Sequence, residues 1–265
     1  MATDWRTLSI PLERSQSTTI GYHEMPFDAE HVLRLDPLVE CFEHGLKCRP
    51  AYVRDDGLNY PYEGPFRSAT TAIHLRKSLI MRLLNVNETL VPYGVELCLL
   101  DGYRRIETQR EIWDFYCRRG RILHPEYTDT EIDEFAAVYA SDPRSFSAED
   151  PKSWPVHCTG GAIDLTLMSL SDVQEPVYMG GIFDDPSPVS HSDFYERASN
   201  FRSGSASDEM AQRYRRLLYH AMYSQGFKNY PAEWWHYDWG DQMWAQRCFL
   251  NGNPCKAFYG YVESP

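Results

Sequence analysis

The segment VHCTGGAIDLTL (156–167) sets His157 and Asp164 on either side of a Thr159-Gly160-Gly161 turn, with six residues between them. Such a turn can fold the chain back until an imidazole and a carboxylate approach one point. A second segment, PAEWWHYDWG (231–240), places Glu233 three residues before His236, and four of its ten residues are Trp or Tyr. An aromatic wall lowers the local dielectric, which raises a carboxylate pKa and keeps an imidazole neutral. Neutral imidazole is the metal-binding form, and a carboxylate of raised pKa suits a general base. Positions i and i+3 share a face on a helical turn but not on a regular strand. Pro231 supplies a bend that can carry Glu233 to the side of His236. Taken alone, the second segment also reads as a buried strand in which Glu and His satisfy each other.

Together the segments offer two imidazoles and one carboxylate: His157, Asp164 and His236. Three protein ligands and an open fourth position are the pattern of a catalytic Zn²⁺ site, where the ion acidifies water. Glu233 is then the base that takes the proton from water and delivers it to a leaving amine. A third segment, DGYRR (101–105), follows an apolar run and offers a cation for a developing oxyanion. Arg104 and Arg105 compete for that role on spacing, and a solvated or paired charge is the ordinary alternative. Two His and one carboxylate also make the facial triad of non-haem Fe(II) oxygenases. That triad usually keeps His and carboxylate close in sequence and has no need of Glu233. A binding protein that kept the metal site without activity is a third reading, disfavoured by the joint presence of Glu233 and Arg104.

The elements that must position these residues follow from periodicity. Helical spacing of apolar residues predicts a helix over 69–90, and 94–103 reads as a buried strand. Helices are expected over 104–121, ending at Gly120, and over 127–141, capped by Thr128 or Asp129. Alternation over 161–170 predicts a half-buried strand, and residues 208–227 a helix with Ser207 as cap and Gly226 as stop. EWWHYDW is expected as a strand, while 142–155, 179–193 and 198–208 read as loops, the last as a mobile one. Helices and strands interleave without a βαβ series, so the expected class is α+β in a single domain over 1–265.

Bulk properties exclude several functions. A length of 265 residues with 43% hydrophobic content can bury a core without disulfide staples. A formal net charge of −12 argues against a nucleic-acid partner, which calls for a basic face. Seven cysteines, an odd number without a CxxC pair, read as reduced thiols of a cytoplasmic protein. The N-terminus lacks a basic region followed by an apolar one, and no apolar run approaches membrane-spanning length, so no membrane partner is expected.

The blocks NYPYEGPF, DGYRR, HCTGGAIDLTL, MGGIFDD, Ser190-His191, GF (226–227) and EWWHY, in this order over about residues 50 to 240, resemble the VanX-type D-alanyl-D-alanine dipeptidases, zinc peptidases of family M15. The resemblance implies an α+β fold with a central antiparallel sheet and one Zn²⁺ per chain. It implies His157, Asp164 and His236 as ligands, Glu233 as base, and Arg104, the Arg directly after the block's Tyr, as the catalytic cation. The implied reaction is hydrolysis of a small dipeptide, typically D-Ala-D-Ala, in a confined pocket. Asp184 is implied at the end holding the substrate amine; Tyr60 and His191 are further substrate-binding candidates, and Tyr62 stands beside Tyr60. The chain departs from the family at three points. Pro155 stands where the family commonly has Ser, DGYRR replaces DGYRP, and NYPYEGPF lacks the usual YAT start and the Asn before Phe. A lost hydrogen bond to a charged amine costs ~1.5–3 kcal/mol, so D-Ala-D-Ala is the first candidate substrate and another small amide in a biosynthetic pathway the alternative. The remaining histidines, His23, His31, His44, His74, His124 and His220, read as surface or core residues.

Overall fold

The computed structural model describes residues 3–12 and 20–264. In chain order its elements are β1 (Leu38–Glu40), β2 (Lys47–Cys48), β3 (His74–Arg76), α1 (Lys77–Leu90), β4 (Val95–Asp101), α2 (Ile106–Leu123), α3 (Asp129–Ala137), β5 (Ala162–Ser169), α4 (Ala206–Ser224), β6 (Lys228–Asn229), β7 (His236–Asp238) and α5 (Gln242–Leu250). The class is α+β. A five-stranded sheet runs β2-β4-β5-β7-β6, and β1 and β3 form a separate pair. The sheet is antiparallel as expected except at one edge, where β2 and β4 run parallel. The connection between them passes through β3 and α1, a crossover long enough to bring the chain back in the same direction.

One face of the sheet is the main core. Leu97 and Leu99 of β4, Ile163, Leu165 and Leu167 of β5, and Tyr237 of β7 pack with Leu79, Leu83, Val86 and Leu90 of α1 and Leu217, Leu218, Ala221 and Met222 of α4. The helix positions recur at three and four residues, one stripe per helix. Alternation in β5 correctly separates two faces but not core from solvent: all of it except Ser169 is buried. Its polar positions, Asp164 and Thr166, face a second covered layer that holds the candidate site.

Several boundaries differ from expectation for identifiable reasons. The helix expected from residue 69 starts at Lys77, because His74–Arg76 is extended and pairs with β1. The helix expected to stop at Gly120 runs to Leu123. A Cβ on Gly120 would lie 2.8 Å from the Phe135 ring, so this glycine permits close approach of α2 and α3 rather than a stop. Thr128 caps α3 in a reciprocal capping box with Glu131. Ser205, not Ser207, caps α4, its hydroxyl accepting from the Asp208 N–H. Only His236–Asp238 of the expected EWWHYDW strand is extended; Glu233 sits in the turn before it.

The terminal segments clasp each other. The Asp28 N–H donates to the Ala257 carbonyl at 2.7 Å, and the Ala257 N–H to the Pro26 carbonyl at 2.9 Å. Further along, the Val262 N–H donates to the Cys158 carbonyl at 3.2 Å, and the Tyr103 hydroxyl to the carbonyls of Val262 and Glu263. The C-terminal segment thus braces the turn that carries His157.

Candidate metal centre and active site

Strand register builds most of the site. Asp101 of β4 stands opposite Asp164 of β5, and Asp164 opposite His236 of β7. Directly opposed residues on paired strands bring their Cβ atoms to ~5 Å on one face, so the three side chains form a row across the sheet. A register shift between Leu99 and Asp101 brings Asp101 into that row. His157 arrives from the short turn Val156–Thr159, which ends at Gly160 with φ +73°. Glycine adopts that conformation without steric cost, and it lets the chain double back into β5.

The three side chains converge. His157 Nε2 lies 3.3 Å from His236 Nδ1 and 3.4 Å from an Asp164 oxygen, and His236 Nδ1 lies 3.0 Å from the other Asp164 oxygen. One ligand atom from each falls within 4.8 Å of the others, and all three residues are buried. The outward nitrogens have partners of their own. His157 Nδ1 donates to the Gly102 carbonyl at 2.8 Å, and His236 Nε2 meets the Asp238 carboxylate at 2.9 Å. Protonating the outer nitrogens leaves the inner ones as lone pairs. Two lone pairs and a carboxylate at this spacing repel unless a cation lies among them. Such a set fits Zn²⁺, with nitrogen and oxygen donors and an open side. The electrostatics separate the two imidazoles, and the expectation that the aromatic wall keeps His236 neutral is not met, because two carboxylates face it. Burial and the nearby Arg104 guanidinium push His157 down to about 3, so it stays neutral. Burial opposes the His236 imidazolium, yet the Asp238 and Asp164 carboxylates outweigh it and raise its pKa well above the usual range.

Glu233 lies beside this set, with its carboxylate 3.8 Å from His236 Nδ1. A turn holds it there: the Glu233 N–H donates to the Tyr230 carbonyl, and the His236 N–H to the Glu233 carbonyl. Buried Asn229 locks the turn, its amide donating at 2.9 Å to the carbonyls of both Glu233 and His236. Enclosure pushes the Glu233 carboxyl up to about 8; His236 pulls the other way, and Asp164 and Asp184 add to the rise. Of the two arginines, Arg104 faces the site. Its guanidinium donates to Asp101, Gln109 and the Tyr52 hydroxyl at 2.9–3.0 Å and lies 3.5 Å from Asp164. Arg105 points away, half exposed beside Glu107.

These groups line a cavity of about 360 Å³. That is near the lower end of small-molecule pockets, ~300–1,000 Å³. Asp184 lies in its wall with φ 57°, a left-handed conformation that Asp tolerates better than most residues. The hydroxyls of Tyr52 and Tyr62 both donate to its Oδ2 at 2.9 Å. Burial, with Asp164 adding to it, pushes its carboxyl up to about 7 against the pull of Arg104. Two candidates are placed elsewhere. Tyr60 is 48% exposed and absent from the wall, while Tyr52 and Tyr62 are in it. His191 lines a smaller adjoining cavity of about 140 Å³ that meets the main one at Asp184 and Glu233. Asp238, Asn229 and Tyr52 are site residues that the sequence analysis missed. For Asp238 a signal existed: residues i and i+2 of a strand share a face, so it follows His236. Asn229 and Tyr52 are joined to the site by contacts that no local pattern encodes.

The family model for the M15 peptidases, described as D-Ala-D-Ala dipeptidase, matches residues 40–252. A D-alanyl-D-alanine dipeptidase of Synechocystis sp. is 30% identical over 243 residues, covering 86% of this chain and 92% of that protein. One of Enterococcus faecalis is 37% identical over 174 residues, covering 65% of this chain and 75% of the relative. The solved structure of VanYB in complex with D-alanine-D-alanine has 17% identity and a TM-score of 0.41, covering 74% of this chain and 87% of that one. The matched family is one of metallopeptidases, and the chain belongs to it, the M15 family of zinc peptidases. Among the described residues, no helix is long and apolar enough to cross a membrane.

Proposed function

We propose that this single-domain enzyme binds one Zn²⁺ through His157, Asp164 and His236 and hydrolyses a small D-amino-acid dipeptide, with D-Ala-D-Ala as the first candidate. The observation that carries the reading is the Glu233 carboxylate 3.8 Å from His236 of a convergent His–Asp–His donor set, in a cavity of small-molecule size. The names of relatives at 30–37% identity support the substrate class. When bound, the ion supplies Lewis acidity toward the scissile carbonyl and toward water. Glu233 takes a proton from the attacking water and returns it to the leaving nitrogen as the C–N bond breaks. Its raised pKa makes it an effective proton carrier, and a neighbouring divalent cation draws that pKa back toward neutrality. Arg104, fixed by Asp101, Gln109 and Tyr52, stabilises the oxyanion. Asp184, held by two tyrosine hydroxyls, receives the substrate ammonium.

A second reading, hydrolysis of another small amide, is favoured by one observation: Pro155 lines the cavity and offers neither hydroxyl nor N–H there. The test is a panel of D-Ala-D-Ala, L-Ala-L-Ala and an N-acylated D-Ala-D-Ala with the zinc-loaded protein. Release of D-Ala from the free D,D-dipeptide alone is expected. Faster turnover of the acylated or L,L compound overturns the assignment of Asp184 and the D,D-dipeptide specificity.

A further inference from the structure

The family-matched span begins at residue 40. Yet two cavity-lining residues, Tyr22 and His23, precede it. They lie on a firmly tied segment. The Tyr22 hydroxyl is 2.7 Å from Ser141 Oγ. The Gln242 side chain donates to the carbonyls of His23 and Met25 at 3.3 and 3.4 Å, and Lys152 pairs with Glu24 at 2.6 Å. The His23 ring lies against the Tyr22 ring, with centroids 3.8 Å apart.

The cavity has two walls of different chemistry. Tyr52 and Tyr62 belong to one cluster, with Ile112 and Tyr116, and they hold the Asp184 carboxylate. Tyr22 belongs to another, where it and Tyr230 pack against Val156, Ala162 and Met243. The His–Asp–His set is joined to both: Arg104 bridges Asp164 to Tyr52, while the His236 ring contacts Tyr230 and His157 adjoins Val156. A dipeptide with its ammonium at Asp184 and its amide carbonyl at the donor set therefore directs its second residue toward the Tyr22 wall. That wall carries the Val156 and Met243 side chains and is backed by the tied segment.

We infer that Tyr22, which precedes the family-matched span, is a specificity-determining residue that limits the size of the leaving amino acid. The inference rests on the dipeptidase reading above. A small side chain fits against Tyr22, Val156 and Met243; a bulky one, or a chain continuing past that residue, meets the ring.

The test measures dissociation constants of the zinc-loaded protein for phosphinate analogues of D-Ala-D-Ala and D-Ala-D-Phe. Acetohydroxamate and benzohydroxamate serve as small and bulky metal-directed probes. In Tyr22→Ala, affinity for the bulky phosphinate relative to the small one should rise about tenfold or more, the scale of a pocket change of a few methylenes. In Tyr22→Phe, which keeps the ring, the ratio should stay near that of wild type. Tyr22→Leu, which keeps an apolar filler, substitutes if Tyr22→Ala does not fold. An unchanged ratio in folded, zinc-holding Tyr22→Ala, or in Tyr22→Leu where it stands in, overturns the inference. If neither phosphinate binds wild type while acetohydroxamate does, the dipeptidase reading fails, and the ratio of benzohydroxamate to acetohydroxamate decides the role of Tyr22 by the same criterion.

Discussion

Asp238→Asn removes the charge behind His236 without changing side-chain size, and its consequence can be worked from the geometry. Asp238 is fully buried and its Oδ1 lies 2.9 Å from His236 Nε2. Beside it Asp241 is also fully buried, and burial and the Asp238 carboxylate raise its pKa well above the usual carboxylate range. The amide oxygen of Asn can still accept from Nε2–H, so the tautomer survives but the charge assistance is lost. A hydrogen bond to a charged group contributes ~1.5–3 kcal/mol against ~0.5–1.5 for a neutral one, a difference of about 1–1.5 kcal/mol. At ~1.4 kcal/mol per decade, zinc affinity should fall about five- to tenfold. Asp238→Ala leaves the imidazole N–H without a partner, and the loss should approach ~100-fold, the upper range for an outer partner of a metal-bound histidine. Chelator competition gives the dissociation constant directly, with Asp56→Asn, an exposed position, as control. Zinc affinity within twofold of wild type for both variants would refute the claim that Asp238 sets the donor strength of His236.

Three further outcomes are expected. Glu233 acts as base only when deprotonated, and its pKa is raised from 4.5 to about 8 without an ion nearby. Activity should therefore rise with pH through an acid limb between these values, measured as kcat/KM; a limb at the ordinary carboxylate value contradicts the role. Arg104→Lys cannot reproduce the fork to Asp101, Gln109 and Tyr52. The variant should lose ~10²–10³ in kcat with KM little changed, and a change in KM alone would move Arg104 from the oxyanion to ground-state binding. Chelation should lower Tm: free zinc at ~1,000 times its dissociation constant stabilises by about 4 kcal/mol, or roughly 8–16 °C at ~2–4 °C per kcal/mol. Calorimetry with and without chelator measures this, and an unchanged Tm would mean the donor set holds no metal.

The residues that converge at the candidate metal centre were legible because the chain encodes them locally. His157 and Asp164 flank one glycine turn, and Glu233 and His236 are one turn apart. Helix and strand types were legible for the same reason, since periodicity is a local property. What failed depends on distant partners. Gly120 reads as a stop until Phe135 of another helix is seen against it. Tyr60 and Tyr62 are equivalent in composition, yet only Tyr62 turns toward Asp184, 122 residues away. Tyr52, 132 residues from Asp184, and Asn229, whose amide locks the Glu233 turn, carry no motif at all. His23 read as an ordinary surface or core residue, and its place in the cavity wall follows from ties to Gln242 and, through Tyr22, to Ser141.

The central claim is that one zinc held by His157, Asp164 and His236 works with Glu233 as proton carrier. It is tested most directly by comparing wild type with Glu233→Ala for bound zinc and for D-Ala released from D-Ala-D-Ala. The account predicts one zinc per chain in both proteins and a loss of ~10²–10⁴ in turnover for the variant. Equal turnover in the two proteins, or loss of the zinc together with the carboxylate, would contradict it.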